Sequence, residues 1–331
     1  VRSLAHHLRR AALALLPLVL LTLAFFVMRH ELSELHTGQL LKALKSIPAS
    51  RIALSLACAV CNYLALTLYD VLALRHLGRR LPYRQVGFAS FVGYAFGHNI
   101  GMSFLTGGGV RYRLYAARGL TALDVAQVGT FNVLTFWVGL LAVSGVALLV
   151  DGGQGAMSLL SLSPGMARAL GLALLGVLAL YFGLCLRVRQ PLRVRRLDLE
   201  VSLPTPRQAF EQLVVSFTDW TLAAMVLWVL LPPDGRVSPA TMVALFAVAQ
   251  LAGLASQVPG GLGVFDSVIL AALTPRLSTA LVLGTLLVYR VIYYLIPFAV
   301  AATMLVVHEV LQRRNLLARR WPRGGHRRQE A

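Results

Sequence analysis

Charge is scarce in this chain. Asp, Glu, Lys and Arg make up 13% of its 331 residues, about half the share of an ordinary soluble domain. Acids are scarcer still, 13 against 31 basic residues, and lysine is almost missing, with only Lys42 and Lys45. So little charge beside a 57% apolar share excludes a water-soluble globule, because that apolar surface has to face lipid instead. Cysteine is also rare. Cys58 and Cys61 form a C-x-x-C inside an apolar run, and no further Cys or His cluster accompanies them. They read as small helix-packing residues rather than a redox or metal site, which needs an exposed, activated thiol. A P-loop and metal-ligand spacings are lacking too. No cofactor is expected, and any transport would be passive or ion-coupled rather than directly driven by ATP.

What the chain does have is arginine, which brings the net charge to +18. A basic balance of that size can signal nucleic acid. Here the arginines stand in short loops between apolar runs and in the C-terminal tail, the positive-inside pattern of a membrane protein, so nucleic acid is excluded as a partner. The fold class expected is an all-α integral membrane protein. Full spans, each of roughly 20 residues, fall at about 11–28, 52–74, 123–150, 166–186, 208–231 and 280–307. The first follows VRSLAHHLRR and mimics a signal peptide, but it is long for one and no small-x-small cleavage site follows, so it is read as a retained helix. Two further segments, 86–119 and 239–273, are apolar but broken by glycine and proline.

Arginine placement orients these elements. The N-terminus, the 75–84 loop, the 187–207 loop and the tail at 313–331 are all basic, while the 151–167 and 232–239 loops are nearly uncharged. The basic ones are expected in the cytoplasm, with both termini inside a bacterial inner membrane; the 29–51 connection, modestly basic though expected outside, departs from the rule. Parity then requires each broken segment to enter and leave on one face, as a re-entrant helical hairpin. The result is about six spans plus two hairpins, eight membrane elements in two inverted pseudo-repeats at about 11–150 and 166–307. The domain runs over 1–312, followed by a disordered basic tail. Eight ordinary spans with an imperfect charge bias are the alternative.

Three stretches carry the functional signal: GHNIGMSFLTGGGVRYRLY at 97–115, SQVPGGLGVFD at 256–266 and YRVIYYLIPF at 289–298. A run such as TGGGV, following Asn99 and containing Thr106, Gly107 and Gly108, exposes backbone N–H groups and lets a headgroup approach closely. A half-helix starting after Pro259, Gly260, Gly261 and Gly263 aims its N-terminal dipole into the membrane, which suits a phosphate. Arg111 and Arg113 flank Tyr112. They either grip a lipid phosphate inside the membrane or, with the hairpin tip near Asn99, serve as plain cytoplasmic anchors. Arg290 lies within the last span beside Tyr289, Tyr293 and Tyr294, and facing lipid there would cost at least about 2.5 kcal/mol. It is expected to line a polar cavity where the two glycine-rich breaks meet, with Asp219 or Asp266 as its acid. Asp70 is read as interfacial, beside Arg75. Asn62, Asn132, Gln250 and Gln257 are read as interhelical hydrogen-bonding groups, and His98 as a packed one.

Together these motifs resemble the membrane domain of the lysylphosphatidylglycerol synthase/flippase (multiple peptide resistance factor) family, which includes stand-alone membrane homologues. The resemblance spans nearly the whole chain. It implies translocation of aminoacylated phosphatidylglycerol, or a related phospholipid, across the membrane, an activity linked to cationic antimicrobial peptide resistance. The soluble aminoacyltransferase domain that would make such a lipid is not expected here, so the chain by itself is not expected to be an enzyme. Two alternatives stay open: a membrane subunit of a phosphatidylglycerol aminoacyltransferase whose catalytic domain is a separate chain, and a carrier for another envelope lipid. The partners implied are phospholipid, membrane, a separate aminoacyltransferase and a second copy of the chain.

Overall fold

The computed structural model describes residues 45, 47–100, 103–151, 163–188, 192–194, 199–201, 203–233, 237–256 and 258–320. Ten α-helices occupy most of them. They are α1 (Ala49–His76), α2 (Tyr83–Ile100), α3 (Ser103–Ala116), α4 (Ala122–Asp151), α5 (Pro164–Arg187), α6 (Pro206–Leu230), α7 (Pro239–Ser256), α8 (Val264–Leu273), α9 (Thr279–Arg290) and α10 (Ile296–Arg320). Strands β1 (Leu192–Val194) and β2 (Leu199–Val201) form a small antiparallel hairpin in the arginine-rich loop between α5 and α6.

Local sequence sets the helix starts. Thr205 caps α6 through a capping box with Gln208, and Pro206 occupies the first turn, where its missing N–H costs nothing. Ser163 caps α5 by accepting from the Met166 N–H, with Pro164 next. After α1 the chain turns at Gly78, whose φ is 66°.

Six helical stretches are long and apolar enough to cross a membrane: Ala49–His76, Ala122–Val150, Pro164–Arg187, Pro206–Leu230, Pro239–Ser256 and Thr279–Gln312. Five coincide within a few residues with spans expected from sequence; the span expected at 11–28 lies outside the described residues. The sixth, Pro239–Ser256, is the first arm of the second broken segment. Each broken segment holds two helices packed together: α2 on α3, and α7 on α8. Large apolar side chains such as Leu64, Leu172 and Leu180 stay outward and exposed, as expected where lipid is the solvent.

Helix α1 lies along α6, α4 packs on α5, α6 and α7, and α2 packs on α10. The largest core joins Trp220 and Leu227 of α6 with Phe246 of α7, Phe265 of α8 and Tyr289 of α9. A second joins Tyr63 and Tyr69 of α1 with Phe96 of α2 and Phe298 of α10.

The two glycine tracts behave differently. Gly260, Gly261 and Gly263 adopt φ of 62°, 62° and 74°, and the turn at Pro259–Gly261 separates α7 from α8. Gly107, Gly108 and Gly109 lie inside the continuous helix α3. They make no break, and their N–H groups belong to a helical ladder rather than to an exposed nest. The reason for glycine at 107 is close approach: a Cβ there would stand 2.8 Å from the carbonyl oxygen of Gly93 on α2.

Candidate functional site

A cavity of about 560 Å³ lies among α1, α2, α3, α4, α6 and α7, within the size range of ligand sites. One wall is polar, with Tyr94, His98, Arg111, Asn132, Asp219 and Gln250. The other is apolar, with Val125, Val133, Phe136, Trp137, Trp220, Phe246 and Leu254. At its outer edge Val133, Trp137 and Leu254 are 48%, 47% and 45% exposed. The cavity therefore reaches the apolar outer surface of the helical bundle.

Arg111, on the inner face of α3, is held by Asp70 of α1. Its Nε donates to both carboxylate oxygens at 2.8 and 3.1 Å, and its guanidinium carbon stands 4.4 Å from the centre of the Tyr94 ring. Asp70 also accepts from the Tyr115 hydroxyl at 2.7 Å and from Nδ2 of Asn132 at 2.6 Å. Asp70 is wholly buried, so its expected interfacial position beside Arg75 is corrected. Arg75 instead pairs with Glu211 on α6, at 2.8 Å. Sequence proximity misled here, because the true partner is 41 residues away. The signal that could have found it is the acid itself, set within an apolar run.

Asp219 sits on the same wall, 7% exposed. It accepts from Nδ2 of Asn62 at 2.8 Å and from the Tyr69 hydroxyl at 2.7 Å. Asn62 in turn accepts from the Tyr293 hydroxyl at 3.1 Å. Asn62 and Asn132 thus make the interhelical bonds expected of them; Gln257 lies outside the described residues. Three cavity-lining residues carry a buried atom with no hydrogen-bond partner among the described residues: Nη2 of Arg111, Oδ1 of Asn132 and Nδ1 of His98. Buried polar atoms left this way are few in native proteins and mark places where water or a ligand completes the bonding.

Arg290 lies outside this cavity lining. It pairs with Asp266, one of the two acids considered for it, through Nη2 to Oδ2 and through Nε to Oδ1 at 3.3 Å. Asp266 also accepts from the Gly263 N–H at 3.0 Å. The N-terminus of α8, expected to suit a phosphate, therefore already holds the protein's own carboxylate, and that carboxylate draws Arg290 toward it and away from the cavity. The Pro259–Gly261 turn packs against α2, but Gly260, Gly261 and Gly263 do not line the cavity.

A π turn at Val291–Leu295 joins α9 to α10 and carries Tyr293 and Tyr294. It shifts the helical ladder, and the carbonyls of both tyrosines take side-chain donors. The Tyr63 hydroxyl reaches Tyr293 at 3.2 Å, and Nδ2 of Asn99 reaches Tyr294 at 3.3 Å. Of the residues singled out from sequence, Gly108, Arg111, Tyr112, Asp219 and Tyr293 line the cavity; Asn99, Thr106, Gly107, Arg113, Asp266, Arg290 and Tyr294 do not. Arg113 pairs with Glu309 of α10 at 2.8 Å. It lines a separate crevice of about 390 Å³ with Arg84, Arg118 and His308. Sequence reasoning missed Tyr69, Tyr94 and the Phe136–Trp137–Trp220 aromatic wall.

The lysylphosphatidylglycerol synthase TM region family model matches residues 11–301. The chain belongs to this family. Among similar proteins, slr0712 of Synechocystis sp. is 35% identical over 311 residues, 93% of this chain and 94% of that protein. The inner membrane protein YbhN of Escherichia coli K12 is 30% identical over 250 residues, 73% of this chain and 75% of that one. A phosphatidylglycerol lysyltransferase of Staphylococcus epidermidis is 41% identical over 90 residues, 27% of this chain and 11% of the lysyltransferase. Membership in the lysylphosphatidylglycerol synthase TM region family, together with six apolar helices, gives a multi-pass membrane protein with a lipid-related role.

Proposed function

We propose that this protein translocates an aminoacylated phosphatidylglycerol, or a related phospholipid, across a bacterial inner membrane. The observation that carries the proposal is the two-walled cavity. Its polar wall offers Arg111 to a phosphate and Asp219 to a cationic headgroup, and its apolar wall runs out to Val133, Trp137 and Leu254 at the bundle surface. An acyl chain can remain along that apolar rim while the headgroup leaves the bilayer surface. The Arg290–Asp266 pair ties the second hairpin to the following span, and the π-turn carbonyls take bonds from α1 and α2. In this reading α2–α3 and α7–α8 are re-entrant hairpins from opposite faces, the halves are inverted repeats, and both termini are cytoplasmic.

The test is a leaflet-resolved assay in proteoliposomes carrying phosphatidylglycerol and lysylphosphatidylglycerol tracers. Transfer of tracer to the opposite leaflet, above protein-free vesicles, is the expected result. No transfer of either lipid by folded protein overturns the reading. Topology is checked separately with single cysteines at Gly78 and Leu192, where labelling from outside intact cells would defeat the inverted arrangement. The 41% identity to a phosphatidylglycerol lysyltransferase segment favours a second reading, a membrane subunit serving a separate aminoacyltransferase. Co-purification of such an enzyme with this chain, without lipid transfer in vesicles, would select it.

A further inference from the structure

Two buried aspartates, Asp219 in the cavity wall and Asp70 behind it, are in opposite electrical situations. Asp70, behind Arg111 and Asn132, has a full counter-ion. Asp219 has none: among the described residues, no arginine, lysine or histidine forms a salt bridge with it. Every described group that bonds it is neutral. Asn62 and Tyr69 of α1 bond it directly. Tyr63 of α1 and Tyr293 of the π turn lie behind Asn62, and Tyr94 of α2 lies against Tyr69. Among the described residues Arg111 is the one arginine or lysine in the cavity lining, and Asp70 already neutralises it. His98 of α2 stacks on Tyr293. A carboxylate set in a low-dielectric wall with no cation is costly, and the usual escape is to take up a proton.

We propose that Asp219 is a proton-exchanging counter-ion for the primary ammonium of a lipid headgroup. With no cation in the cavity, Asp219 is a neutral carboxylic acid. Its bonding permits this, since Asn62 donates to one oxygen while the Tyr69 hydroxyl can turn to accept from the other. When a headgroup R–NH3⁺ arrives, the O–H bond of the acid breaks, the proton leaves to water, and the carboxylate pairs with the ammonium, which keeps its own three protons. The wall carries no net charge from Asp219 and its ligand before or after. Release on the far side reverses the step with a proton taken from that side. The protein then works as an exchanger, one proton against one ammonium lipid. This rests on the translocation reading and adds to it an energy source, the proton gradient.

Proteoliposomes of the full chain, with lysylphosphatidylglycerol as probe and a pH-sensitive dye trapped inside, test it under an imposed pH gradient. For one-for-one exchange the leaflet ratio of the lipid follows the proton ratio, about tenfold per pH unit, with the lipid gathering toward the acidic side. Lipid movement is accompanied by a matching lumenal pH change. Asp219→Asn, which keeps the shape and mimics the protonated acid, loses both the dye signal and the gradient response; Asp219→Glu, which can still exchange, restores them. Transfer by the wild type with no dye signal overturns the exchange and leaves translocation standing. A gradient response undiminished in Asp219→Asn overturns it equally. Absence of any lipid transfer by the wild type overturns translocation, and the exchange with it.

Discussion

The two helical hairpins use the same chemistry in reverse. In the first, the arginine is on the hairpin and the acid is on a span: Arg111 of α3 reaches Asp70 of α1. In the second, the acid is on the hairpin and the arginine is on a span: Asp266 of α8 receives Arg290 of α9. Their glycines do different work. Gly107 lets α3 close on Gly93 of α2 inside an unbroken helix, whereas Gly260, Gly261 and Gly263 hold left-handed backbone in a real turn. Proline accounts for the contrast. Pro259 cannot extend α7, while TGGGV has no such breaker and tolerates the helix that packing imposes. The acids differ in enclosure as well. Asp70 has no exposed side-chain surface, while Asp266 keeps 20%. Both hairpins contribute to the cavity wall, but the ion pair of the first stands at that wall while the ion pair of the second lies outside it.

The sharpest test of that comparison is Arg111→Ala. It strands a fully buried carboxylate and is expected to cost about 3–5 kcal/mol, read as a large drop in the thermal unfolding midpoint in detergent. Arg111→Lys recovers part, because lysine keeps the charge but lacks the planar fork. A loss equal to that of Arg290→Ala would erase the distinction between the hairpins. Arg290→Ala is expected to cost less, about 2–3 kcal/mol, because Asp266 keeps the Gly263 N–H and some exposure. It should also slow lipid transfer in the vesicle assay, with Arg290→Lys a poor substitute.

Gly107→Ala pushes a methyl into the backbone of Gly93 and is expected to cost about 2 kcal/mol; an unchanged unfolding midpoint would deny the close crossing. Gly261→Ala meets no contact under 3.4 Å but sits at φ 62°, so its cost is conformational, about 1 kcal/mol. Smallest of all is Gly108→Ala. A Cβ there meets nothing within 4 Å, so stability should stay within about 0.5 kcal/mol. Any change should appear instead in lipid transfer, since the methyl narrows the cavity.

Much of the architecture is legible along the chain because a bilayer leaves few options. An apolar run must become a helix that satisfies its own backbone, and its length sets the span. Five spans follow from that alone, and so do the two interrupted segments. The turn at Pro259–Gly261 is equally local, since proline and glycine state backbone preferences without reference to neighbours. That Arg290 needs an acid or a phosphate also follows from its depth in an apolar run, though sequence could not choose between Asp219 and Asp266. The tertiary structure made that choice, and it made the others that depend on distance in space. It buried Asp70 against a residue 41 positions away, kept Gly107–Gly109 helical, filled the α8 N-terminus with Asp266, and left Asp219 facing a cavity with no counter-ion among the described residues. The physical reason is the range of each interaction. Hydrophobic run length and φ preference act within a single segment, whereas a charge in a low-dielectric interior is settled by whichever partner the packed helices bring within a few ångströms.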